Sequence, residues 1–257
     1  VREAQFTLLF EESIKKLTEA LGVTRKIPMQ AGTTLKTYKA SGTLQSGTVA
    51  EGEVIPLSKY KVSPVTYKEI ALSKFRKATT IDAIQNYGFK QAVNMTNDRM
   101  LKDIQKGIRK DFFDFLATGK GKATGTNFQG ALAQAWGQLQ VLFEDDEAQA
   151  VYFMNQLDVA DYLATANVTT QTAFGMTYIK DFLGLGTVIL NSSVPKGKIY
   201  ATASNNIVLY YVPVNNSDIG EAFSFTTDET GLVGIHETPD YDTATAITTV
   251  VDGIALF

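Results

Sequence analysis

Few side chains in this sequence could carry acid–base or nucleophilic chemistry. The chain has a single histidine, His236, inside the strand-like stretch GLVGIHETPDY, and it has no cysteine. A Ser-His-Asp or Cys-His site needs a histidine base beside a nucleophile. A zinc site of the usual type needs several His or Cys ligands. We therefore expect no catalytic residue, no metal site and no cofactor, and we interpret His236 as a strand residue that faces solvent or a polar neighbour.

Two other segments resemble ligand sites only in composition. Gly119-Lys120-Gly121-Lys122 lacks the G-x-x-x-x-G-K-[ST] spacing of a phosphate-binding loop, and it follows a predicted helix instead of preceding one. The acidic run from Glu144 to Glu147 is contiguous, and consecutive side chains do not converge easily on one cation. We interpret these segments as a basic connector and a solvated helix end, so the sequence does not indicate an enzyme.

The overall balance of residues excludes further classes. The chain has 257 residues, of which 24 are Lys or Arg and 27 are Asp or Glu, so its formal net charge is −3. A dedicated nucleic-acid binder is usually strongly basic, so we expect any contact with DNA to use local patches. No stretch approaches the ~20 apolar residues of a transmembrane helix, and no membrane partner is expected.

The chain begins with a predicted amphipathic helix over residues 1–22. Its apolar residues recur at helical spacing, and Gly22 is a natural stop. These apolar residues are Phe6, Leu9, Phe10, Ile14, Leu17 and Leu21. Two interpretations stay open: the helix packs on its own domain, or it is an arm that docks on a neighbouring subunit.

Residues 33–77 have the alternation of β-strands instead. The alternating positions are Leu35, Thr37 and Lys39, then Tyr60, Val62, Val65, Tyr67, Ile70 and Leu72. Between them, Ser41 to Gly52 is rich in Gly, Ser and Thr and has few large apolar residues. A long two-stranded excursion is marginally stable by itself. It is either a flexible surface hairpin or a hairpin that reaches over an adjacent subunit.

The strongest helical signal covers residues 79–118. Gly88 is a candidate break, Asn97 or Asp98 is a plausible N-cap, and Gly119 ends the pattern. The apolar face of the main helix consists of Leu101, Ile104, Ile108, Phe112, Phe115 and Leu116. Its polar face carries several lysines and arginines interleaved with aspartates.

The rest of the chain predicts a mixed α/β unit followed by strands. The predicted helices are Phe128–Phe143 and Asn155–Thr165, and the predicted strands are Ala150–Met154, Thr187–Leu190, Lys198–Thr202 and Asn206–Val214. The tail adds an alternation at Phe223, Phe225 and Thr227, then strands at Leu232–His236 and Ile247–Leu256.

Three segments carry a resemblance to a known family. These are KATTIDAIQNYGFKQAVNMTNDRMLKDIQKGIRKDFFDFLATG (77–119), AVYFMNQLDVADYL (150–163) and TTDETGLVGIHETPDYDTATAITTVVDGIALF (226–257). In this order, and after an arm and a long hairpin, they resemble the major capsid protein of tailed double-stranded-DNA bacteriophages. The chain is similar to the capsid proteins of siphophages of Gram-positive hosts.

The resemblance implies an α+β fold with four parts. Residues 1–32 would be an N-terminal arm and residues 33–78 an extended β-hairpin loop. Residues 79–126 and 222–257 would form a peripheral domain with a long spine helix. Residues 127–221 would form an axial α/β domain that points at the centres of pentamers and hexamers.

The resemblance also implies a function. The chain would assemble with copies of itself, as hexamers and pentamers, into an icosahedral head that encloses double-stranded DNA without sequence specificity. It would meet a portal and possible scaffold or decoration proteins, in a virion assembled in the host bacterial cytoplasm. The alternative is an encapsulin-like bacterial nanocompartment that encloses a protein cargo.

Seven residues of the arm and the loop are the candidates for contacts between subunits. They are Phe6, Phe10, Lys39, Glu51, Glu53, Lys59 and Lys61. Some members of the family join this loop to a neighbour through a Lys–Asn bond, but the sequence identifies no partner for the three lysines.

Overall fold

The computed structural model describes residues 2–48, 54, 56–119, 121–143, 149–165, 168–215 and 217–257. The helices in these ranges are α1 (Arg2–Leu21), α2 (Ile81–Tyr87), α3 (Phe89–Leu116), α4 (Phe128–Leu142), α5 (Gln156–Thr165) and α6 (Ser217–Phe223). The strands in the first half are β1 (Lys26–Pro28), β2 (Thr34–Thr43), β3 (Lys59–Glu69) and β4 (Ser73–Thr80). The later strands are β5 (Ala150–Met154), β6 (Gln171–Ala173), β7 (Met176–Ile179), β8 (Thr187–Leu190), β9 (Ile199–Ala203), β10 (Leu209–Tyr211), β11 (Thr226–Thr227), β12 (Val233–Asp240), β13 (Thr245–Asp252) and β14 (Ile254–Leu256).

Strands β2 and β3 form an antiparallel hairpin that pairs with no other strand in the described residues. The pairing runs from Thr34 opposite Glu69 to Thr43 opposite Lys59, with an irregularity between Thr37 and Tyr38. The predicted hairpin is therefore present. Strand β4, which follows it, belongs to a different sheet and crosses the predicted boundary at residue 78.

A four-stranded sheet in the order β11-β12-β13-β4 packs against α1 and α3. The three longer strands are antiparallel, and β13 pairs along its whole length with both β12 and β4. The buried side chains between these elements include Phe10, Ile14, Ile104, Ile108, Ile235 and Val250. The helical spacing that predicted α1 thus fills the core of its own chain.

Gly88 separates α2 from the long α3. Its φ of 77° is one that residues with a side chain rarely adopt, so a glycine suits this break. The predicted N-cap at Asn97 or Asp98 is wrong, because α3 already begins at Phe89. Asn97 is instead a buried residue in the body of the helix. A polar residue at this position was interpreted as a cap, but its Nδ2 donates a hydrogen bond of 3.1 Å to Glu237 of the adjacent sheet.

A second layer is built on a five-stranded sheet in the order β6-β7-β8-β5-β9. Strand β5 is parallel to β8 and antiparallel to β9, and all five of its residues are buried, as its unbroken apolar run predicts. Helices α4 and α5 pack with it around a cluster that includes Leu132, Tyr152, Val159, Phe182 and Val188.

Three phenylalanines join the two layers. Phe112 and Phe113 of α3 pack against Phe153 of β5, with ring centroids 5.4 and 5.6 Å away and near-perpendicular ring planes. Such edge-to-face pairs are favourable beyond the area that they bury. The long helix α3 therefore contacts both the four-stranded and the five-stranded sheet.

A small three-stranded sheet unites distant parts of the chain. Strand β1 pairs in parallel with β10, which pairs antiparallel with β14. The predicted strand at residues 247–256 is divided here, because β13 ends at Asp252 and β14 starts at Ile254. At the division, Val212 N–H donates to the carbonyl of Gly253 at 3.0 Å, which turns the chain from one sheet into the other.

Two short elements differ from the sequence analysis. The hairpin of β6 and β7 was not predicted. Of the predicted alternation, Phe223 is the last residue of α6, Phe225 lies in the connection that follows, and Thr227 is in β11. The rings of Phe223 and Phe225 stack with centroids 5.7 Å apart. None of the helices in the described ranges is long and apolar enough to cross a membrane.

Candidate assembly interface

The hairpin has one apolar face that its own chain leaves uncovered. Residues directly opposite each other in an antiparallel pair lie on the same face. Tyr38 is opposite Pro64, and Gly42 is opposite Tyr60, with Val62 between these pairs. The side chains of Tyr38, Tyr60 and Val62 are 63%, 60% and 61% exposed. Two tyrosines and a valine on one exposed sheet face are typical of a surface that another molecule covers.

The glycine on this face lets a tyrosine lie flat on the hairpin. A Cβ added to Gly42 would come within 2.5 Å of Cδ1 of Tyr60. The ring of Tyr60 therefore occupies the space above Gly42, and the face presents a flat aromatic surface.

Lysines occupy the opposite face of the same hairpin. Because successive side chains of a strand alternate between faces, Lys59 and Lys61 point away from Tyr60 and Val62. They stand opposite Thr43 and Ser41 and are exposed. Lys39 is opposite Ser63 by its backbone, and its side chain lies outside the described residues.

The two predicted acidic contact residues, Glu51 and Glu53, lie outside the described residues. Both belong to residues 44–58, which connect β2 to β3 in the sequence. Three apolar residues described in this segment are strongly exposed: Leu44, Val54 and Leu57 are 75%, 92% and 78% exposed.

The two phenylalanines predicted for the arm are buried within their own chain. Phe6 is 4% exposed and Phe10 is 0% exposed, and both belong to the core beneath α1. Of the two interpretations of this helix, the structure has the one in which it packs on its own domain. Helical spacing could not distinguish the two interpretations, because apolar residues recur with the same period on a helix face that packs in a core and on one that packs against another subunit. The outer face of α1 exposes Leu8 and Leu9 instead.

Polar contacts fix the start of α1 on the four-stranded sheet. Arg2 forms an ion pair with Glu237 at 3.2 Å. The Glu3 carboxylate accepts hydrogen bonds from the Thr226 hydroxyl and the Glu237 backbone N–H, each at 2.6 Å. These contacts span more than 220 residues of sequence, so α1 is an integral part of the fold and not a free arm.

The neighbouring Lys77 is a half-buried cation. Its Nζ donates to the Thr96 hydroxyl at 2.7 Å. Burial lowers the pKa of Lys77 to about 8, and the Glu237 carboxylate opposes this shift. This contact could not be predicted from the sequence, because it depends on the packing of β4 against α3.

The second layer also exposes apolar side chains. Trp136, Val141 and Leu142 of α4 are 38%, 75% and 73% exposed, and Leu157 of α5 is 65% exposed. On the other side of α4, Leu132 and Ala135 are buried, and Phe128 and Leu139 are partly buried against the same core. This exposed group is a second candidate for contacts between copies.

His236 is a residue of the four-stranded sheet. This residue is half-buried in β12, where it pairs with Thr249 of β13. Among the residues that the structure describes, no three His, Cys, Asp or Glu side chains are grouped as a metal site requires.

The overall architecture is that of viral and bacterial shells. A capsid of an empty GTA particle matches with a TM-score of 0.56 and 11% identity, over 91% of this chain and 84% of that chain. The mature capsid of bacteriophage PhiM1 matches with a TM-score of 0.52 and 6% identity, over 90% and 80%. The holo encapsulin complex of Synechococcus elongatus matches with a TM-score of 0.51 and 12% identity, over 91% and 80%. No protein-family model matches the chain, and no curated protein matches it significantly by sequence.

These likenesses define the class of fold. The chain has the α+β capsid fold of tailed bacteriophages, as the sequence predicted. The likeness extends over nine tenths of the chain, so it is not confined to one shared motif.

Proposed function

We propose that this protein is the major capsid protein of a tailed bacteriophage, a structural subunit and not an enzyme. The observation that carries the proposal is the capsid fold, which covers about 90% of the chain in comparisons with assembled shells. The apolar face of the hairpin supports it, because Tyr38, Tyr60 and Val62 are exposed and the described residues of the chain do not cover them.

Copies of the chain would assemble as hexamers and pentamers into an icosahedral head. The exposed apolar group on α4 and α5, which includes Trp136 and Leu142, would meet its counterparts near the centre of each ring. The hairpin would lie across the next copy. Such head-to-tail contacts generate closed assemblies when the rotation between copies permits.

The assembled head would enclose double-stranded DNA without reading its sequence, and it would be part of the virion. A net charge of −3 fits a shell that confines DNA without binding each phosphate. A portal, and possible scaffold or decoration proteins, would complete the particle, which would be assembled in the cytoplasm of the host bacterium.

A second candidate is a nanocompartment shell with a protein cargo. It is favoured by the encapsulin match, whose TM-score of 0.51 is close to that of the phage capsid. The two functions differ in what the particle encloses. Particles purified from the native source with nuclease-protected DNA support the phage head, and particles with a copurifying protein cargo support the nanocompartment.

The hairpin provides a direct test of the proposed assembly. We expect the expressed chain to form closed shells, visible by electron microscopy. Replacing Gly42–Tyr60 by Asn-Gly joins Ser41 to Lys61, which already face each other in register, through a favoured two-residue turn. We expect this variant to fold with an unchanged circular dichroism spectrum and to form no stable shells.

Two results would contradict the proposal. A native chain that stays monomeric under all assembly conditions excludes a shell function. Normal shells from the shortened variant exclude the hairpin as the contact between subunits.

A further inference from the structure

The break at Gly88 leaves a groove of about 620 Å³ where α2 ends and α3 begins. Its large apolar side chains are those of Tyr87, Phe89 and Met95, which are 65%, 43% and 63% exposed. The described part of the chain therefore leaves these three side chains largely uncovered at one corner of the molecule. Such a group is typical of a surface that another molecule covers.

Helix α2, beside the groove, is also poorly covered. None of its seven residues, Ile81–Tyr87, is buried, and the side chain of Ile81 is 57% exposed. A helix of this length is marginal in water and depends for its stability on the packing of an apolar face. The incomplete packing of α2 within the described chain therefore favours a partner on this corner.

The side of α3 that bears Met95 faces away from the core. Exposed residues at spacings of four, three and four form one ridge along this side: Gln91, Met95, Asp98 and Lys102. The buried residues of the same stretch lie on the opposite side: Ala92, Val93, Asn97 and Ile104. Methionine is frequent at binding surfaces because its side chain is flexible and polarizable, so an exposed methionine in the middle of this ridge suits a contact with a partner.

Opposite charges flank the apolar part of the groove. Lys90 and Asp98 both line it and are both exposed. Neither side chain forms an ion pair within the described ranges. They are eight residues apart, which is about 12 Å along the helix, and Met95 lies between them.

This arrangement of charges is self-complementary. When two copies of a helix lie antiparallel across a two-fold axis, each residue meets the one that is equally far from the axis in the other copy. The midpoint between Lys90 and Asp98 is residue 94, next to Met95. With the axis there, Lys90 of each copy lies opposite Asp98 of the other, so both carboxylates are paired at once.

A second copy suits this surface better than DNA does. The lining of the groove has one cation, Lys90, and one carboxylate, Asp98, whereas a surface that binds DNA needs an excess of cations. The Arg2 guanidinium of the same chain lies over the ring of Phe89, 4.2 Å from its centroid, and holds the ring in place before a partner arrives. A shell also needs contacts between rings, and a two-fold contact joins two subunits without extending a ring.

We propose that the corner formed by α2 and the first half of α3 packs on the same corner of a second copy across a two-fold axis, with Lys90 of each copy paired with Asp98 of the other. Met95 then lies near the axis, and Tyr87 and Phe89 line the space between the two charged pairs. This inference rests on the proposed shell function and adds a contact between rings to the contacts within a ring.

Charge reversal with rescue tests the pairing. We expect Lys90→Glu to reduce the assembled fraction about tenfold, because two carboxylates then oppose each other at both ends of the contact. Asp98→Lys should have the same effect, with cations in place of carboxylates. The combined variant should restore assembly to within about threefold of the native protein, as measured by sedimentation and electron microscopy.

Lys106→Glu is the matched control, since Lys106 is also exposed on α3 but lies outside the groove. It should assemble like the native protein. If the native chain and this control form shells but the combined variant assembles no better than the single reversals, the inference is wrong while the proposed function stands. If the native chain forms no shells, the proposed function itself fails.

A single thiol tests the symmetry of the contact and covers the case in which a reversed variant misfolds. The chain has no cysteine, so Met95→Cys places one thiol on each copy, close to the proposed axis. We expect mild oxidation of assembled particles to link most chains as dimers on a non-reducing gel, and the matched Lys106→Cys variant to stay unlinked. Met95→Cys particles that yield only unlinked chains would overturn the inference, because Met95 then does not meet its counterpart in a second copy.

Discussion

Asp252 is the buried acid for which the fold provides least support. It is 1% exposed, and its Oδ1 accepts a long hydrogen bond of 3.4 Å from the N–H of Ile254. Its Oδ2 has no hydrogen-bond partner among the residues that the structure describes. Burial, with a smaller contribution from the nearby Asp111 carboxylate, raises the pKa of Asp252 to about 6, and the hydrogen bond from Ile254 opposes this shift. The residue lies at the end of β13, just before β14. Ionisation of its buried carboxylate therefore destabilises the fold at the connection between two sheets.

The stability of the chain should therefore respond to pH through this residue. The native pKa lies above the ordinary value of 3.8, so the native state binds more protons than the unfolded state between these values. The contribution of Asp252 is thus least unfavourable below about pH 4, and it worsens as pH rises to about 6. A shift of this size corresponds to about 3 kcal/mol.

We expect D252N to remove this dependence. The difference in unfolding free energy between variant and native protein should change by about 2–3 kcal/mol in favour of the variant from pH 4 to pH 7.5. Urea unfolding of the unassembled chain at both pH values measures it. D242N, at an exposed position, should change by less than about 0.5 kcal/mol, and an equally flat result for D252N would contradict the argument.

Gly175 and Arg109 form a second contact that depends on single atoms. The Arg109 guanidinium of α3 donates to the carbonyl of Phe174 in the turn between β6 and β7, and burial lowers the pKa of Arg109. A Cβ on Gly175 would come within 2.5 Å of Nη1 of Arg109. Gly197 has a similar φ, 76° against 71°, but nothing lies within 4 Å of its Cβ position.

This pair of glycines separates backbone strain from the contact with Arg109. Both G175A and G197A place a side chain at positive φ, at a cost of about 1 kcal/mol. G175A must also displace the guanidinium, so we expect it to cost about 1–2 kcal/mol more. Urea midpoints of the two variants measure the difference. Equal losses of stability would show that the Arg109 contact does not contribute to the cost of G175A.

At the scale of elements, the long periodic segments could be predicted from the sequence. The helix at residues 2–21, the break at Gly88 and the buried strand at residues 150–154 follow from local patterns that the core requires. The hairpin of β6 and β7 could not, because each strand has only three or four residues and its turn places Phe174 at a φ of 51°. Such short strands exist through their neighbours in the sheet, not through a period of their own.

The candidate interface was only partly visible in the sequence. The alternation of Lys59, Tyr60, Lys61 and Val62 already separates a charged face from an apolar one. Which residues of β2 lie on each face depends on the register between β2 and β3, which the sequence does not specify.

At the scale of the whole molecule, the three-stranded sheet connects the beginning, middle and end of the described chain. Lys26–Pro28 lies beside Leu209–Tyr211, which lies beside Ile254–Leu256. Phe257 packs its ring on Phe115 of α3, with centroids 5.1 Å apart, and exchanges two backbone hydrogen bonds with Val208. The last strand therefore stabilises elements that are distant from it in sequence.

Removing residues 254–257 should loosen this sheet without unfolding the second layer. We expect the backbone amides of Leu209–Tyr211 and of Lys26 and Ile27 to lose protection, because β10 loses one partner and the sheet loses Leu256 from its core. The amides of Ala150–Met154 should stay protected. Hydrogen exchange measured by mass spectrometry checks this, and unchanged protection in β10 would show that β14 is dispensable.

The strands of this sheet are synthesised at widely separated times. A ribosome that adds about 5–20 residues per second needs tens of seconds to proceed from Pro28 to Ile254. For most of that time β1 has no partner strand, because β10 and β14 are not yet synthesised, and α1 lacks the strands β11 and β12 that it packs against. The three-stranded sheet and the core beneath α1 are therefore completed only after most of the chain has been synthesised.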